Sequence, residues 1–434
     1  MKAQILKWIR NAFVLVLGSA LVGILLLTLV FALPTEPVRN HVLSDVPVMM
    51  SEELPEGDFL QYVFKHKESF TDAIMVQNAL EDIEGKSAYE HAVWAYHRDL
   101  GDEVVWQALD TLKALGEGAD DSGMYLRTYA RYWHGYLMYL KPLLTIFSWQ
   151  TTVYIGIALQ LLLLVAVIWL AVKKKTIAVP IALAVGMLFM KPVLMHVSLT
   201  MSVCWVITLV ALLIQMWKHK WLAEKQLYGE FFLCVGIATA YFDFLTYPLV
   251  TLGVPLCVYF LMSEESNLGK RIGHLAINTI GWGIGYIGMW AMKWIISDVT
   301  LQTGTIRDAV WNVIGRTEAI GGRPRFNGAF YVMGINLQEY FLPIYSIVAI
   351  ALAVVVVALV VLAARKGGVK PTISILIPYL LIALSPFVWI TVVQHHCALH
   401  ARFTFRIIAL TAMAFACIGV ECVRVLRNTD SPSE

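Results

Sequence analysis

The sequence predicts an all-α fold, a polytopic membrane helix bundle of about ten transmembrane helices with a long helical first extracytoplasmic loop. Three observations predict it. The mean hydropathy is +0.68, and 59% of the 434 residues are apolar against only 15% charged, where a water-soluble chain carries roughly a quarter charged residues. Apolar runs of about twenty residues recur, each long enough to cross a ~30 Å hydrocarbon core as a helix. Short clusters of Lys and Arg fall at every second connection between those runs.

In chain order, residues 1–33 form a first transmembrane helix, 34–148 an extracytoplasmic loop with interfacial helices, and 149–296 helices two to seven. Residues 297–341 form a second extracytoplasmic loop, and 342–434 hold helices eight to ten with a short cytoplasmic tail. The first apolar run, Asn11 to Leu33, is too long for the core of a signal peptide and lacks a small-residue cleavage site, so it reads as a retained helix. The other spans read as 149–172, 176–190, 198–216, 229–246, 248–262, 272–296, 342–363, 371–393 and 404–423. Pro180, Pro192, Pro248 and Pro255 interrupt the third to sixth spans. Broken helices at membrane depth are tolerated where protein or a water-lined cavity satisfies the freed backbone groups, so this stretch should border a cavity.

Orientation follows from the basic residues of the short loops. Lys2, Lys7 and Arg10 are followed by Lys173–Lys175, by Lys218, Lys220 and Lys225, and by Lys270 and Arg271. Arg365, Lys366 and Lys370 come next, then Arg424 and Arg427. An even number of spans with both termini cytoplasmic places all six clusters inside a cell membrane. The net charge of +2 is spread over short clusters and gives no footprint for nucleic acid. Six Cys (204, 234, 257, 397, 417 and 422) form no paired spacing, so neither a disulfide framework nor a zinc site is expected.

The long first loop opens with Asp45, Glu52, Glu53, Glu56 and Asp58. Val104, Val105, Ala108, Leu109 and Leu112 then repeat at helical spacing. Over 124–140, Tyr125, Tyr129, Tyr132, Trp133, Tyr136 and Tyr139 run with Arg127, Arg131 and Lys141 close by, a composition suited to a helix lying flat at the bilayer interface. The second loop is polar and Gly-rich and carries Arg307, Arg316, Arg323 and Arg325.

Ionisable residues at membrane depth are costly and default to a functional hypothesis. Lys191, His196, Asp243 and Lys293 sit at the outer ends of their spans. His395, His396, His400, Arg402 and Arg406 flank the turn between the ninth and tenth, and Asp72, Arg131 and His134 belong to the same level. The bilayer centre is almost free of charge. A transporter places its binding groups near the midplane; a charged outer rim suits a substrate with its polar head in the outer leaflet. Cations around one or two carboxylates suit a phosphate-bearing head group, with a carboxylate as base or metal ligand. Structural alternatives stand beside each. Asp72 is an N-cap-type residue before a helical run at 73–82. Lys191, Lys293 and Arg406 can snorkel, and Trp133–Tyr136 can be interfacial belt. Gly281, Gly283, Gly285 and Gly288 read as a helix-packing stripe. His395 and His396 are adjacent, a poor ligand spacing, and no metal ligand set is assigned.

Five segments carry a resemblance: Phe70–Met75, Arg131–Tyr136, Asp243–Pro248, Met292–Trp294 and His400–Arg406. They are similar to segments of a group of bacterial multi-pass membrane proteins of undefined activity. The layout of first helix, long extracytoplasmic loop with an early acid, and partly broken helices resembles the GT-C superfamily of membrane glycosyltransferases. That resemblance implies a polyprenyl-phosphate-linked sugar donor, an extracytoplasmic glycan acceptor of the cell wall or surface, and contact with membrane lipid. It also implies an acid in the first long loop that activates the acceptor or helps bind a divalent cation. Asp72 maps onto that acid, with Asp58 as the weaker match and Asp243 as a second carboxylate. Arg131, His134, Lys191, His196, Lys293, His400, Arg402 and Arg406 would be substrate-binding partners. Many GT-C members carry a paired acidic motif after the first helix, whereas Asp45 stands alone among Val and Pro. The alternatives are a lipid or polysaccharide transporter or flippase, and a non-enzymatic membrane assembly partner.

Overall fold

The computed structural model describes residues 2–51 and 69–430. Glu52, Glu53, Glu56 and Asp58 lie outside the described residues. Helix α1 (Lys2–Phe31) is followed by α2 (Glu36–Ser51), α3 (Ser69–Leu80) and α4 (Ala88–Trp94). Strands β1 (His97–Asp99) and β2 (Tyr125–Arg127) form an antiparallel ribbon with His97 opposite Arg127, and α5 (Ala108–Gly116) lies between them in sequence. Then come α6 (Leu137–Ile146), α7 (Trp149–Lys173), α8 (Ala178–Phe189), α9 (Pro192–Val197), α10 (Leu199–Glu224), α11 (Tyr228–Phe242) and α12 (Leu249–Met262). The remainder is α13 (Leu268–Leu301), α14 (Thr305–Thr317), α15 (Arg325–Leu337), α16 (Pro343–Gly367), α17 (Val369–Val392), α18 (Gln394–Leu399), α19 (Ala401–Thr404) and α20 (Ala409–Asp430). The fold is all-α apart from that ribbon.

Among the described residues six helical stretches are long and apolar enough to cross a membrane: Ile5–Phe31, α7, α10, α16, α17 and Ala401–Thr429. Helices α6, α8, α11 and α12 are apolar but shorter. Every span read from the sequence falls on a helix, although α8 stops at Phe189 and the chain restarts as α9 after Lys191, which adopts a left-handed φ of 51°. The freed carbonyls are taken up by side chains: the Tyr340 hydroxyl donates to Phe189 O at 2.8 Å and Arg406 Nε to Met190 O at 3.1 Å.

Helices α11 and α13 make the closest pairing, because Gly281 and Gly285 of α13 face the backbone of Gly229 and Leu233, and Gly236 of α11 faces that of Trp282. No Cβ fits at these points, the close approach that small residues permit. Gly288 faces Val16 of α1, whereas nothing lies within 4 Å of a Cβ at Gly283. The glycine stripe is a packing device at three of its four positions.

The loops rich in Lys and Arg gather at one end. Lys174 Nζ donates to Trp217 O, Arg424 Nη1 to Leu261 O and Ser374 Oγ to Ser266 O, while Gly229 abuts Trp8 and Gly367 abuts Val425. At the other end the first long region meets the bundle. Trp133 Nε1 donates to Met289 O, Trp294 Nε1 to Arg131 O and the Tyr89 hydroxyl to Thr300 Oγ1.

This region differs from the expectation in two respects. Residues 124–140 do not form one helix: 125–127 are strand, an irregular turn follows, and α6 begins at Leu137. Tyr132, Trp133 and Tyr136 are buried against Phe244, Tyr241 and the bundle backbone. Aromatic composition alone does not distinguish a belt facing lipid from a plug facing protein. Likewise α5 begins only at Ala108, with Val104 and Val105 exposed in the preceding loop.

Candidate functional site

Five of the ionisable residues singled out in the sequence are committed to structural bonds. Asp72, in the first turn of α3, reaches the N-terminus of α10. Ser198 Oγ, Leu199 N and Thr200 N donate to its carboxylate at 3.1, 3.1 and 2.8 Å, and Thr200 Oγ1 at 2.5 Å. Lys293 of α13 is fully buried and donates to Ala92 O and Val93 O at 2.8 and 2.9 Å, at the C-terminal end of α4. Arg406 is buried, donates to Met190 O and Arg402 O, and lies against the Phe405 ring. Lys191 pairs with Glu339 at 2.8 Å, and His196 Nδ1 donates to Pro192 O within its own turn. Lys191, Lys293 and Arg406 therefore do not snorkel to water. They serve helix ends and an ion pair.

Two of the remaining candidates, Arg131 and His400, line a cavity of about 250 Å³ at the end of the bundle away from the basic loops. Phe70, Thr71 and Ile74 of α3 form one wall; Trp106, Tyr129, Arg131 and Tyr132 of the first long region form another. Phe244, Thr246, Arg316, His396, His400 and Phe403 complete it. Asp243 stands behind Thr246, whose amide donates to Oδ2 at 2.9 Å and whose hydroxyl donates to Oδ1. The residue ends α11 in extended conformation, so the acid is positioned by the break before Pro248. His134 lies behind Phe244, with ring centroids 5.1 Å apart. Arg402 is exposed at the rim of α19. Of the five residues expected to share one cavity (Asp72, Asp243, Lys293, His400 and Arg402) only His400 lines it. Arg131 lines it too.

The local chemistry fixes several protonation states. His134 Nε2 faces the Tyr129 carbonyl at 2.8 Å, so it carries the proton, and Nδ1 accepts from the Tyr136 hydroxyl at 3.0 Å. Burial holds its pKa well below the usual imidazole value. His396 Nε2 likewise donates to Leu245 O at 2.8 Å, leaving Nδ1 to accept from Arg316 Nη1. Burial first, and the Arg316 charge second, hold His396 well below the usual range and push His400 down to about 4. Both are neutral at pH 7. Arg131 is paired with Asp308 at 2.8 Å, while among the described residues Arg316 has no carboxylate partner. Among the described residues no group of three His, Cys, Asp or Glu is placed to hold a metal ion, and no step is derived through one.

The sequence analysis named Arg316 and His396 without assigning them to the site, and it did not single out Trp106 or Thr246. Arg316 and His396 are separated by 80 positions, and no local signal ties the two together. Compared with family models, with curated proteins and with solved structures, the chain matches none.

Proposed function

We propose that the chain is a ten-span membrane glycosyltransferase of GT-C-like design, with both termini cytoplasmic, moving a sugar from a polyprenyl-phosphate-linked donor to an extracytoplasmic glycan acceptor. Ten spans follow if α8, α11, α12 and α13 cross together with the six long stretches. The gathering of the six short basic clusters at one end then supports a cytoplasmic face there, which leaves the cavity on the opposite side.

One observation carries the reading. A cavity walled by aromatic rings holds Arg316, which has no carboxylate partner among the described residues, beside two neutral imidazoles, with Asp243 one residue behind its wall. Aromatic faces suit the apolar faces of a pyranose ring, and a guanidinium suits a phosphate oxygen. In this reaction the Thr246 hydroxyl passes its proton to Asp243 and takes that of the acceptor hydroxyl, and the acceptor oxygen forms a bond to the anomeric carbon as the carbon–oxygen bond to phosphate breaks. The departing phosphate keeps the electron pair, and Arg316 stabilises its charge. Asp243 is taken as the base in place of Asp72, because its partner Thr246 lines the cavity, whereas the donors around Asp72 do not.

The test is sugar transfer by the full chain in proteoliposomes, offered a panel of short-chain polyprenyl-phosphate sugars and glycan acceptors. Asp243→Asn should lower turnover about a hundredfold or more, with folding retained. Undiminished transfer by that variant would remove Asp243, and absence of transfer across the panel would remove the proposal.

A further inference from the structure

A second cavity of about 320 Å³ adjoins the first and shares Arg316, His396 and His400 with it. Its outer side is different in character: Trp311 of α14 and Leu399 of α18 line it and are 65% and 66% exposed. Other apolar side chains of α14 are exposed beside Trp311. The two cavities thus meet at one guanidinium, with aromatic and hydroxyl groups on one side and an apolar exit on the other.

We propose that this shared wall binds a single-chain lipid phosphate monoester, its phosphate on Arg316 and its tail leaving between Trp311 and Leu399 into the bilayer. As the seat of a donor's phosphate the site rests on the transfer reaction proposed above; as a binding site it is tested without any sugar. Arg316 donates to His396 Nδ1, a neutral acceptor. A phosphate oxygen carries the charge opposite to the guanidinium's and offers it a paired acceptor geometry, which the neutral imidazole does not, so an incoming phosphate oxygen displaces the imidazole. His396 keeps its bond to Leu245 O, which leaves Nδ1 free to take a proton and turn to the phosphate. The groups facing His396 are Arg316 from α14 and His395 and His400 from its own segment, with Asp243 standing behind Thr246 on the adjoining wall. Without an anion the Arg316 charge opposes that proton; with one, the opposition is cancelled. Binding is therefore coupled to proton uptake.

The experiment is calorimetric titration of the purified full chain in nanodiscs with dodecyl phosphate, inorganic phosphate and dodecanol, each in two buffers of different ionisation enthalpy. Dodecyl phosphate should bind at least tenfold more tightly than either of the others, with proton uptake larger in the parent than in His396→Gln by a fraction of a proton, since the ester's own second ionisation (pKa about 6) shifts alike in both. Arg316→Gln should weaken it tenfold or more, and the double variant Trp311→Ala with Leu399→Ser several-fold. His396→Gln retains a donor for Leu245 O and should remove that excess uptake. Arg316→Lys keeps the charge and supplies a second variant should Arg316→Gln unfold; it should bind between parent and Arg316→Gln. Equal binding of dodecyl phosphate by parent, Arg316→Gln and Arg316→Lys would overturn the site. So would dodecanol or inorganic phosphate binding as tightly as dodecyl phosphate. Intact binding with no sugar transfer from any donor supports the site and removes the transferase instead.

Discussion

The carboxylate of Asp72 and the N-terminal turn of α10 are joined through Thr200, whose amide and hydroxyl both donate to Oδ1, at 2.8 and 2.5 Å. The same arrangement recurs with other partners. Asp45 accepts from Gln150 N in the first turn of α7 at 2.9 Å, and Asp298 accepts from Thr305 N and Ile306 N at the start of α14. Lys293 and Arg406 serve the opposite ends, donating to carbonyls that close α4 and α8. Acids at N-termini and bases at C-termini are the pairing that helix dipoles favour, and within a low-dielectric bundle they also satisfy backbone groups that water cannot reach.

Asp72→Ala should therefore act on stability. It leaves buried donors of Ser198, Leu199 and Thr200 unsatisfied, and the expected loss is about 2–3 kcal/mol. Asp72→Asn should lose less, since Asn ranks with Asp as a cap. Thermal unfolding in detergent measures both. A hundredfold loss of sugar transfer by Asp72→Asn with an unchanged melting temperature would return Asp72 to the catalytic role.

Lys293→Met keeps much of the side-chain volume and strands the Ala92 and Val93 carbonyls, so a loss of roughly 1–3 kcal/mol is expected. Faster proteolysis or hydrogen exchange should be confined to α4 and its flanks. Unchanged protection of 88–96 would show that these bonds contribute little.

The glycines of α13 offer a paired test. Gly285→Ala drives a methyl into the Leu233 carbonyl and should destabilise by about 1–3 kcal/mol. Gly283→Ala meets open space and should stabilise by up to about 1 kcal/mol, the helix-propensity difference. Equal melting temperatures for the two variants would contradict the tight α11–α13 approach.

Acid should loosen the first long region. His97 is fully buried on β1, beside Trp106 and Tyr129, and burial lowers its pKa to about 4. A base whose folded pKa is depressed binds fewer protons folded than unfolded. Its contribution is complete above the unfolded value of about 6.5 and is lost as pH falls towards 4. His134 and His91 are shifted the same way. Unfolding midpoints should fall between pH 6.5 and 4, and His97→Phe should flatten that slope. A profile identical to the parent's would exclude His97.

Helices were legible because a run of twenty apolar residues permits little else, and Pro192 and Pro248 announced the breaks that bound the site. Residues 124–140 misled because buried and lipid-facing aromatics share one composition. Among the site residues, Asp243 stood out as an acid between Phe242 and Phe244, and Arg131 and His400 by type and depth. Asp72, Lys293 and Arg406 drew notice for the same reason, yet their partners are helix ends that arrive from 126, 201 and 216 positions away. No pattern in a single sequence says which helix end will meet which side chain. Arg316 was counted only among the basic residues of the second loop for the converse reason, since its setting among Gly and Thr is ordinary until α18 folds against it.

Helices α8, α11 and α12 have 12, 15 and 14 residues, so they rise about 18, 22 and 21 Å at ~1.5 Å per residue. A hydrocarbon slab is ~30 Å thick. Almost all of α12 and most of α11 are buried in the bundle, so neighbouring helices flank them along their length. The turns they lack leave the space that the cavity occupies, with Thr246 in its wall and Asp243 behind it. Shortness here sets the depth of a polar floor that the bundle itself encloses.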